Sequence, residues 1–290
     1  VKGGVTTAKG FVASGIAAGI KKSGGKDLAI LYSEVPAVAA GSFTTNRFQA
    51  SPVKISKAHL KNKLHQAIIV NSGNANCANG KIGDRDALFM AELLAEALAV
   101  DREEVLVAST GVIGKYLPID KIKEKVPELV DGLSEKGGIP FAESIMTTDT
   151  KRKTLAVTFK IGDLTVTIGG ACKGVGMIYP EMKTERHATL LCFLTTDASI
   201  SRQMLEDALG EAIGETLNMI SVDGDMSTND SCFIMANGLA GNKRIGSKSK
   251  DYNLFLNALQ LLVKNFARML VVDGEGATKF VKIEETGAKS

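Results

Sequence analysis

A glycine-containing turn, a charged stretch and an apolar run follow one another in residues 173–197, KGVGMIYPEMKTERHATLLCFLTTD. The charged middle, residues 181–187, is typical of an exposed loop. The apolar run after it, residues 190–194, predicts a buried strand. Thr189 therefore stands where a loop enters a rigid strand, and any fold of this chain must place that strand in the core.

A hydroxyl at such a junction suits a nucleophile, because the rigid strand fixes its position. A threonine hydroxyl needs a base beside it, and cleavage of the chain before the threonine supplies one as a new α-amine with a pKa of about 8. The alternative interpretation is an ordinary threonine at a strand edge. Ala188 and Thr189 alone do not decide between the two.

Short strands and helices alternate irregularly along the chain, which favours an α+β fold. Strands are predicted at residues 28–32, 37–44, 51–55, 67–70, 105–108, 232–236, and as a hairpin at 154–159 and 164–168. Helices are predicted from Asp84 to 99, from Pro118 to 133 with a kink or break at Pro127, from a cap at Ser201 to 219, and over 251–270.

The length, the net charge and the spacing of the cysteines limit the class of protein to which the chain can belong. A length of 290 residues suits one large domain or two ordinary ones, and a net charge of +3 with mixed signs does not indicate a nucleic-acid partner. The four cysteines have no CxxC spacing and are expected to be buried free thiols. No segment of membrane-spanning length and no signal peptide are expected, so a reducing cytoplasm is predicted.

Polar clusters at three places admit two interpretations each. Residues 71–76, rich in asparagine, fit a structural loop or a donor-rich wall of an active site. The strand that ends at Thr110 and Gly111 exposes backbone N–H groups and could form an oxyanion hole. The aspartates of residues 221–231 lack the glycine and glutamate of a calcium loop, so no metal site is predicted.

Five further blocks accompany residues 173–197, and together with it they resemble the ornithine acetyltransferase (glutamate N-acetyltransferase) family of arginine biosynthesis. The blocks are VNSGNANCANG at 70–80, ASTGVIG at 108–114, FAESIMTTDT at 141–150, SVDGDMSTNDS at 221–231 and VVDGEGATKF at 271–280. They stand in the order of that family and span nearly the whole chain.

The resemblance implies a layered α/β sandwich with a central pair of sheets, assembled from two fragments of one precursor. The fragments would be residues 1–188 and 189–290, after self-cleavage between Ala188 and Thr189. Thr110 and Gly111 would stabilise the oxyanion. The residues that would bind substrate are Thr147, Lys173, Thr189 and Glu275.

The reaction implied is ping-pong transfer of the acetyl group of N-acetylornithine to glutamate through an acetyl-threonine intermediate. Acetyl-CoA is a conceivable second donor, and no other cofactor and no metal are expected. The resemblance further implies a heterotetramer of two copies of each fragment, without a nucleic-acid or membrane partner. Lys173 and Glu275 carry opposite charges, which suit a zwitterionic amino acid.

The sequence departs from the family pattern in two places. Residues 183–187 stand as an insertion, so that counting forward from Lys173 makes Thr184 the nucleophile, whereas counting back from Thr195 makes it Thr189. We favour Thr189, because the following strand fixes its register; His187, inside the insertion, could assist proton transfer. Family members also continue beyond position 290 with an asparagine and a hydroxyl residue that complete the substrate pocket.

Two other functions remain open from the sequence. The same nucleophile would serve an aminopeptidase or amidase that passes its acyl group to water. An uncleaved, inactive precursor that only binds amino acids or a partner is the alternative that involves no enzymatic activity.

Overall fold

The computed structural model describes residues 2–179, 181–184, 186–187 and 190–287, with only the backbone described at 181, 183, 184, 186 and 187. Within these ranges the strands are β1 Phe11–Ile16, β2 Leu28–Phe43, β3 His65–Asn74, β4 Val105–Val112, β5 Lys153–Ile161, β6 Leu164–Lys173, β7 Glu181–Thr184, β8 Arg186–His187, β9 Leu191–Thr196 and β10 Ser231–Ala236. The α-helices are α1 Ser51–His59, α2 Gly80–Leu98, α3 Ile119–Asp131, α4 Gly138–Ile145, α5 Arg202–Gly214 and α6 Lys250–Val272.

The long strand β2 organises the sheet. Its first half pairs antiparallel with β1 and β3, its register shifts between Tyr32 and Ala37, and its second half pairs antiparallel with β10. The strand order is β4-β3-β2-β10-β9-β6-β5, with β3–β4 and β10–β9 parallel and the other pairs antiparallel. β2 thus belongs to two half-sheets, one on each side of its bend.

Side chains alternate between the two faces of these strands, as the period of two requires. Inward-facing residues of both half-sheets share one core, which includes Leu31, Ile68, Leu106, Phe193 and Phe233. The other face of the β2–β3–β4 half packs on α2 and α3, and that of the β10–β9–β6 half packs on α5 and α6. The result is an α/β/β/α sandwich, which confirms the predicted α+β layered fold.

Aromatic rings fill the centre of the sandwich. The ring of Phe193 lies edge-on to Phe141 at 5.2 Å between centroids and stacks on Phe233 at 5.8 Å. Phe193 belongs to β9, the strand that follows Thr189. The expectation that residues 190–194 are buried in the core is therefore confirmed.

The predicted strands other than residues 51–55 are present, and the helices differ from the prediction in four places. Residues 51–55 were expected to be extended, which is wrong, because Ser51–His59 form α1. α2 begins at Gly80 and includes Asp84, so Asp84 is not its cap. α3 runs through Pro127 without a break, and α5 ends at Gly214, followed by a short 3-10 turn at 217–219.

Helix α6 corrects the expectation about segment length. With 23 residues and a mean hydropathy of 1.3 in its most apolar window, it is long and apolar enough to cross a membrane. Its apolar face, however, is buried against β5, β6 and α5, with Phe255, Leu259, Leu262 and Phe266 fully inside. α6 is therefore a core helix of the sandwich.

The four cysteines are buried free thiols, as expected. Three of them stand in register across neighbouring strands, with Cys192 opposite Cys172 on β6 and opposite Cys232 on β10. Burial raises the pKa of the Cys192 thiol, and contact with the other two thiols raises it further. These thiols are packing groups of the core rather than nucleophiles.

Candidate active site

Lys173, the last residue of β6, is the centre of a polar cluster. Its ammonium donates hydrogen bonds to Thr147 Oγ1 at 2.8 Å and to Thr110 Oγ1 at 3.3 Å. Its side chain is 10% exposed, and the carboxylate of Asp149 lies 4.0 Å away. The structure thus brings together three residues that the sequence placed in the site, from the ends of β4 and β6 and the loop after α4.

Thr110 and Gly111 lie at the exposed end of β4, next to β3. Gly111 has φ of 134°, and a Cβ at this position would stand 2.3 Å from the carbonyl carbon of Gly73. Only glycine fits such a conformation and such a close approach of two backbones. Because Lys173 donates to the oxygen of Thr110, the hydroxyl proton of Thr110 is directed to another acceptor.

The asparagine-rich residues 71–76 form the end of β3 and the turn after it, and they pack beside the end of β4. Asn71 donates to the carbonyl of Asn74 at 2.9 Å and accepts from Ser109 Oγ at 2.6 Å. Asn229 donates to the carbonyls of Ala75 and Ser109 at 2.6 and 2.8 Å. These amides are buried and bonded within the protein, which is the structural interpretation of residues 71–76.

Glu275 lies in the turn that follows α6, and its side chain is exposed. Its backbone N–H donates to the carbonyl of Val175 at 2.6 Å. A Cβ on Gly176 would stand 2.6 Å from Glu275 Oε2, so the missing side chain at position 176 leaves room for this carboxylate. Glu275 therefore flanks the loop that leaves Lys173, without a hydrogen bond to Lys173 itself.

A second lysine, which the sequence analysis did not single out, lies behind the first. Lys153 Nζ is fully buried and donates to Asp149 Oδ1 at 2.7 Å and to Asp273 Oδ2 at 2.6 Å. Asp149 in turn accepts the N–H of Gly174 at 2.8 Å and that of Thr147 at 3.1 Å. No periodicity or motif in the sequence marks Lys153; its burial depends on the ion pairs with Asp149 and with Asp273, which is 120 residues away.

Burial and neighbouring charges shift the pKa values of Lys173 and Asp149 in opposite directions. Burial lowers the pKa of Lys173, and the carboxylate of Asp149 only partly offsets this effect. For Asp149, burial alone would raise the pKa, but the positive charges of Lys173 and Lys153 hold it below its usual value. The site thus holds an ionised carboxylate beside a lysine whose positive charge is only partly compensated.

The proposed nucleophile Thr189 and its neighbour Ala188 lie outside the described residues, and Thr184 and His187 are described by their backbone alone. The next residue, Leu190, accepts the N–H of Ser231 at 2.9 Å. Leu191 pairs with Lys173 across β9 and β6. The described chain therefore resumes directly beside the last residue of β6.

Asp223, considered above for a metal site, has a structural use. Its carboxylate accepts the backbone N–H groups of Met177 and Ile178, and Met177 has φ of 56°. Asp223 thus holds the turn that follows the two glycines after Lys173. In the described part of the chain no group of three or more His, Cys, Asp or Glu side chains is arranged to hold a metal ion.

Solved structures share this architecture. L-aminopeptidase D-Ala-esterase/amidase from Ochrobactrum anthropi, described as a variant of the Ntn hydrolase fold, aligns with a TM-score of 0.53 over 91% of this chain and 86% of its own, at 14% identity. Ornithine acetyltransferase from Mycobacterium tuberculosis, complexed with ornithine, aligns with a TM-score of 0.57 at 38% identity, over 62% of this chain and 96% of its own. These likenesses define the fold class of the chain, which it shares with ornithine acetyltransferase and with a variant of the Ntn hydrolase fold.

The sequence comparisons narrow this class to one family. The model of the ArgJ family matches residues 12–290, so the chain belongs to the ArgJ family. The arginine biosynthesis bifunctional protein ArgJ from Dehalococcoides mccartyi is 49% identical over 99% of this chain and 69% of its own length. Glutamate N-acetyltransferase from Methanocaldococcus jannaschii is 45% identical over 100% of this chain and 69% of its own length.

Proposed function

We propose that this protein is a glutamate N-acetyltransferase that moves the acetyl group of N2-acetyl-L-ornithine to L-glutamate in arginine biosynthesis. Membership of the ArgJ family supports the reaction, and one observation supports the position of the active site. The buried ammonium of Lys173 bonds Thr147 and Thr110 at the place where β9 begins. A cation, two hydroxyls and a nearby carboxylate suit an acylated amino acid.

In this proposal the precursor cleaves itself between Ala188 and Thr189. The new α-amine of Thr189 then takes the proton of the Thr189 hydroxyl as its oxygen attacks the acetyl carbonyl carbon. Thr110 and Gly111 stabilise the oxyanion of the tetrahedral intermediate. When the intermediate collapses, the bond to the ornithine nitrogen breaks, that nitrogen takes the proton, and the acetyl group stays on Thr189.

The second half of the reaction repeats these steps in reverse. The amine of glutamate attacks the acetyl-threonine ester while the α-amine of Thr189 takes a proton from that nitrogen, and the threonine oxygen leaves with this proton when the ester bond breaks. Lys173 and Thr147 hold the carboxylate of either amino acid, and Glu275 holds the positive charge of ornithine. The reaction as proposed needs no cofactor and no metal; acetyl-CoA would enter only as another acetyl donor.

The assembly and the location are part of the same proposal. Two copies of each fragment form a heterotetramer that acts in the cytoplasm.

Residues 183–187 lengthen the loop before the nucleophile, and β7 and β8 pair as a short antiparallel ribbon in this stretch. Thr189 is preferred to Thr184, because Thr189 adjoins the strand that pairs with β6.

An acyl transfer to water, as in an aminopeptidase or amidase, is the second candidate. The likeness to Ntn-hydrolase structures supports it through the fold alone. The cluster around Lys173 argues for an amino-acid acceptor, because a water nucleophile needs no carboxylate-binding cation.

The test combines intact mass spectrometry with labelled substrate. The denatured protein should give two species, one beginning at Thr189, and the Thr189 fragment should take up one acetyl group from N-acetylornithine. Thr189→Ala should remain uncut and unlabelled, whereas the matched Thr184→Ala should be cut and active. A single uncut wild-type chain that takes up no label would contradict the proposal, and faster transfer to water than to glutamate would favour the amidase.

A further inference from the structure

The ammonium of Lys153 is isolated from solvent and neutralised by two carboxylates. The exposed fraction of the side chain is 0% for Lys153 and Asp149 and 5% for Asp273. Burying three charges is expensive, and such a cluster replaced by apolar residues often gives a more stable protein. A contribution to stability is therefore a weak explanation for this triad.

One arm of the triad leads to Lys173 and Thr147. Asp149 uses Oδ1 for Lys153 and for the N–H of Gly174, the residue after Lys173. Its Oδ2 accepts the N–H of Thr147 and lies 4.0 Å from the ammonium of Lys173. Asp149 thus fixes the backbone on both sides of the Lys173–Thr147 hydrogen bond.

The other arm leads to Glu275. Asp273 ends α6 two residues before Glu275, and it accepts the N–H groups of Thr150 and Lys151 at 3.2 and 3.4 Å together with the hydroxyl of Thr150. Its Oδ2 also accepts from Lys153 at 2.6 Å. The turn that carries Glu275 is therefore tied to the loop that carries Thr147.

We propose that Lys153 is a positioning residue that sets the distance between Glu275 and the Lys173–Thr147 pair, and so determines the length of amino acid that the site accepts. Only 1% of the whole Lys153 residue is exposed, and both carboxylates cover its ammonium. Lys153 therefore cannot touch a substrate. It acts by joining Asp149 and Asp273, each of which lies next to a proposed binding group. This inference rests on the proposed function.

The Asp149–Lys153–Asp273 triad also joins residues from both sides of the proposed cleavage point. Lys153 and Asp149 belong to residues 1–188, whereas Asp273 and Glu275 belong to residues 189–290. The spacing between the two ends of a bound amino acid would then depend on contacts between two separate chains. Lys153 supplies a charge that both sides share.

Isothermal titration calorimetry with L-ornithine tests the inference without any acetyl transfer. Asp273→Asn removes the charge that ties Glu275 to Lys153 while keeping the shape of the side chain. We expect it to weaken ornithine binding by about tenfold, as the loss of a charged hydrogen bond would. Asp207→Asn, on α5, is the matched control and should leave the affinity unchanged.

A double variant separates positioning from a general loss of structure. Glu275→Gln should weaken ornithine binding by itself, and Asp273→Asn should add little in the Glu275→Gln background, because the two changes act through the same group. Lys153→Arg keeps the charge and should bind ornithine better than Lys153→Met. Thermal melting of each variant shows that it is folded.

Equal affinities of Asp273→Asn and the wild type would overturn the inference, as would fully additive effects of Asp273→Asn and Glu275→Gln. A wild type that binds ornithine but transfers no acetyl group would refute the proposed function and leave the positioning role standing. A wild type that binds neither ornithine nor glutamate would overturn both.

Discussion

The two lysines of the site show how neighbouring residues of one type acquire different tasks. Lys153 is compensated by two carboxylates in direct contact, whereas Lys173 contacts two hydroxyls and has its nearest carboxylate at 4.0 Å. These hydroxyls use two of the three N–H donors of Lys173. Lys173 is thus suited to a substrate carboxylate, and Lys153 is suited to a fixed structural charge.

His65 should make the protein sensitive to acid. Burial lowers the pKa of this imidazole to about 4, and the nearby charge of Arg202 acts in the same direction. The folded state keeps His65 neutral, so the unfolded state binds the extra proton as the pH falls below 6.5. The free energy of unfolding should therefore fall by about 2 kcal/mol between pH 7 and pH 5 through this group.

Urea unfolding at the two pH values measures this loss. His65→Gln keeps a donor for the carbonyl of His59, which His65 Nε2 contacts at 3.1 Å, but it cannot take up a proton. The variant should lose less stability on acidification than the wild type. Equal losses in both proteins would show that another group is responsible.

Site residues could be predicted where a family block or a turn marks them in the sequence. They could not be predicted where only a tertiary contact places them in the site. Thr110, Thr147 and Lys173 stand in recognisable blocks, and the structure brings them together. Lys153 stands at the start of an ordinary strand. Its role depends on Asp273, 120 residues away, and no local pattern reports a contact of that separation.

Helix α3 carries a proline, Pro127, well beyond its first turn. Pro127 is exposed on a helix that runs from Ile119 to Asp131, and it lacks the N–H that would bond the carbonyl of Lys123. The buried side chains Ile122, Val126 and Leu129 hold α3 on the sandwich and keep it continuous. Tertiary packing thus prevails over the break that Pro127 alone would predict.

Replacing this proline should stabilise the protein. Pro127→Ala restores a backbone hydrogen bond without loss of packing, although the unfolded chain gains about 0.4–1 kcal/mol of conformational freedom. We expect a net gain of about 1–2 kcal/mol in the free energy of unfolding. Denaturant titration measures it, with Lys123→Ala as an exposed control on the same helix; a loss of stability would show that Pro127 relieves strain in α3.

Helix α1 shows why one element was assigned wrongly. Val53 and Ile55 alternate with polar residues over residues 51–55, and a period of two predicts a strand. In the structure the buried residues include Val53, Ser56 and His59, which share one face of a helix. Ser56 bonds both backbone groups of Val107 on β4, and this tertiary contact cannot be read from the segment itself.

At the scale of the whole molecule, the proposed cleavage point does not separate two domains. β9 and β10, from residues after 189, lie between β2 and β6, from residues before it. The shared cores contain side chains from both parts. The two parts therefore form one folded body.

After cleavage, the fragments 1–188 and 189–290 should stay together under native conditions. Their interface includes the β2–β10 and β6–β9 pairings and the buried Lys153–Asp273 ion pair. Native mass spectrometry should show a complex that contains both fragments, and concentrated guanidinium chloride should separate them. Fragments that elute separately in plain buffer would contradict this expectation.

The interleaved strand order also governs how the chain can fold while a ribosome makes it. β2 leaves the ribosome early, but the partner of its second half, β10, is made almost two hundred residues later, at Ser231–Ala236. Before β9 and β10 are made, the edges of β6 and β2 that they will cover are unpaired. Unpaired strand edges can pair with other chains. The nascent chain thus exposes these strand edges during its own synthesis, and the sheet can close only after Ala236 has emerged.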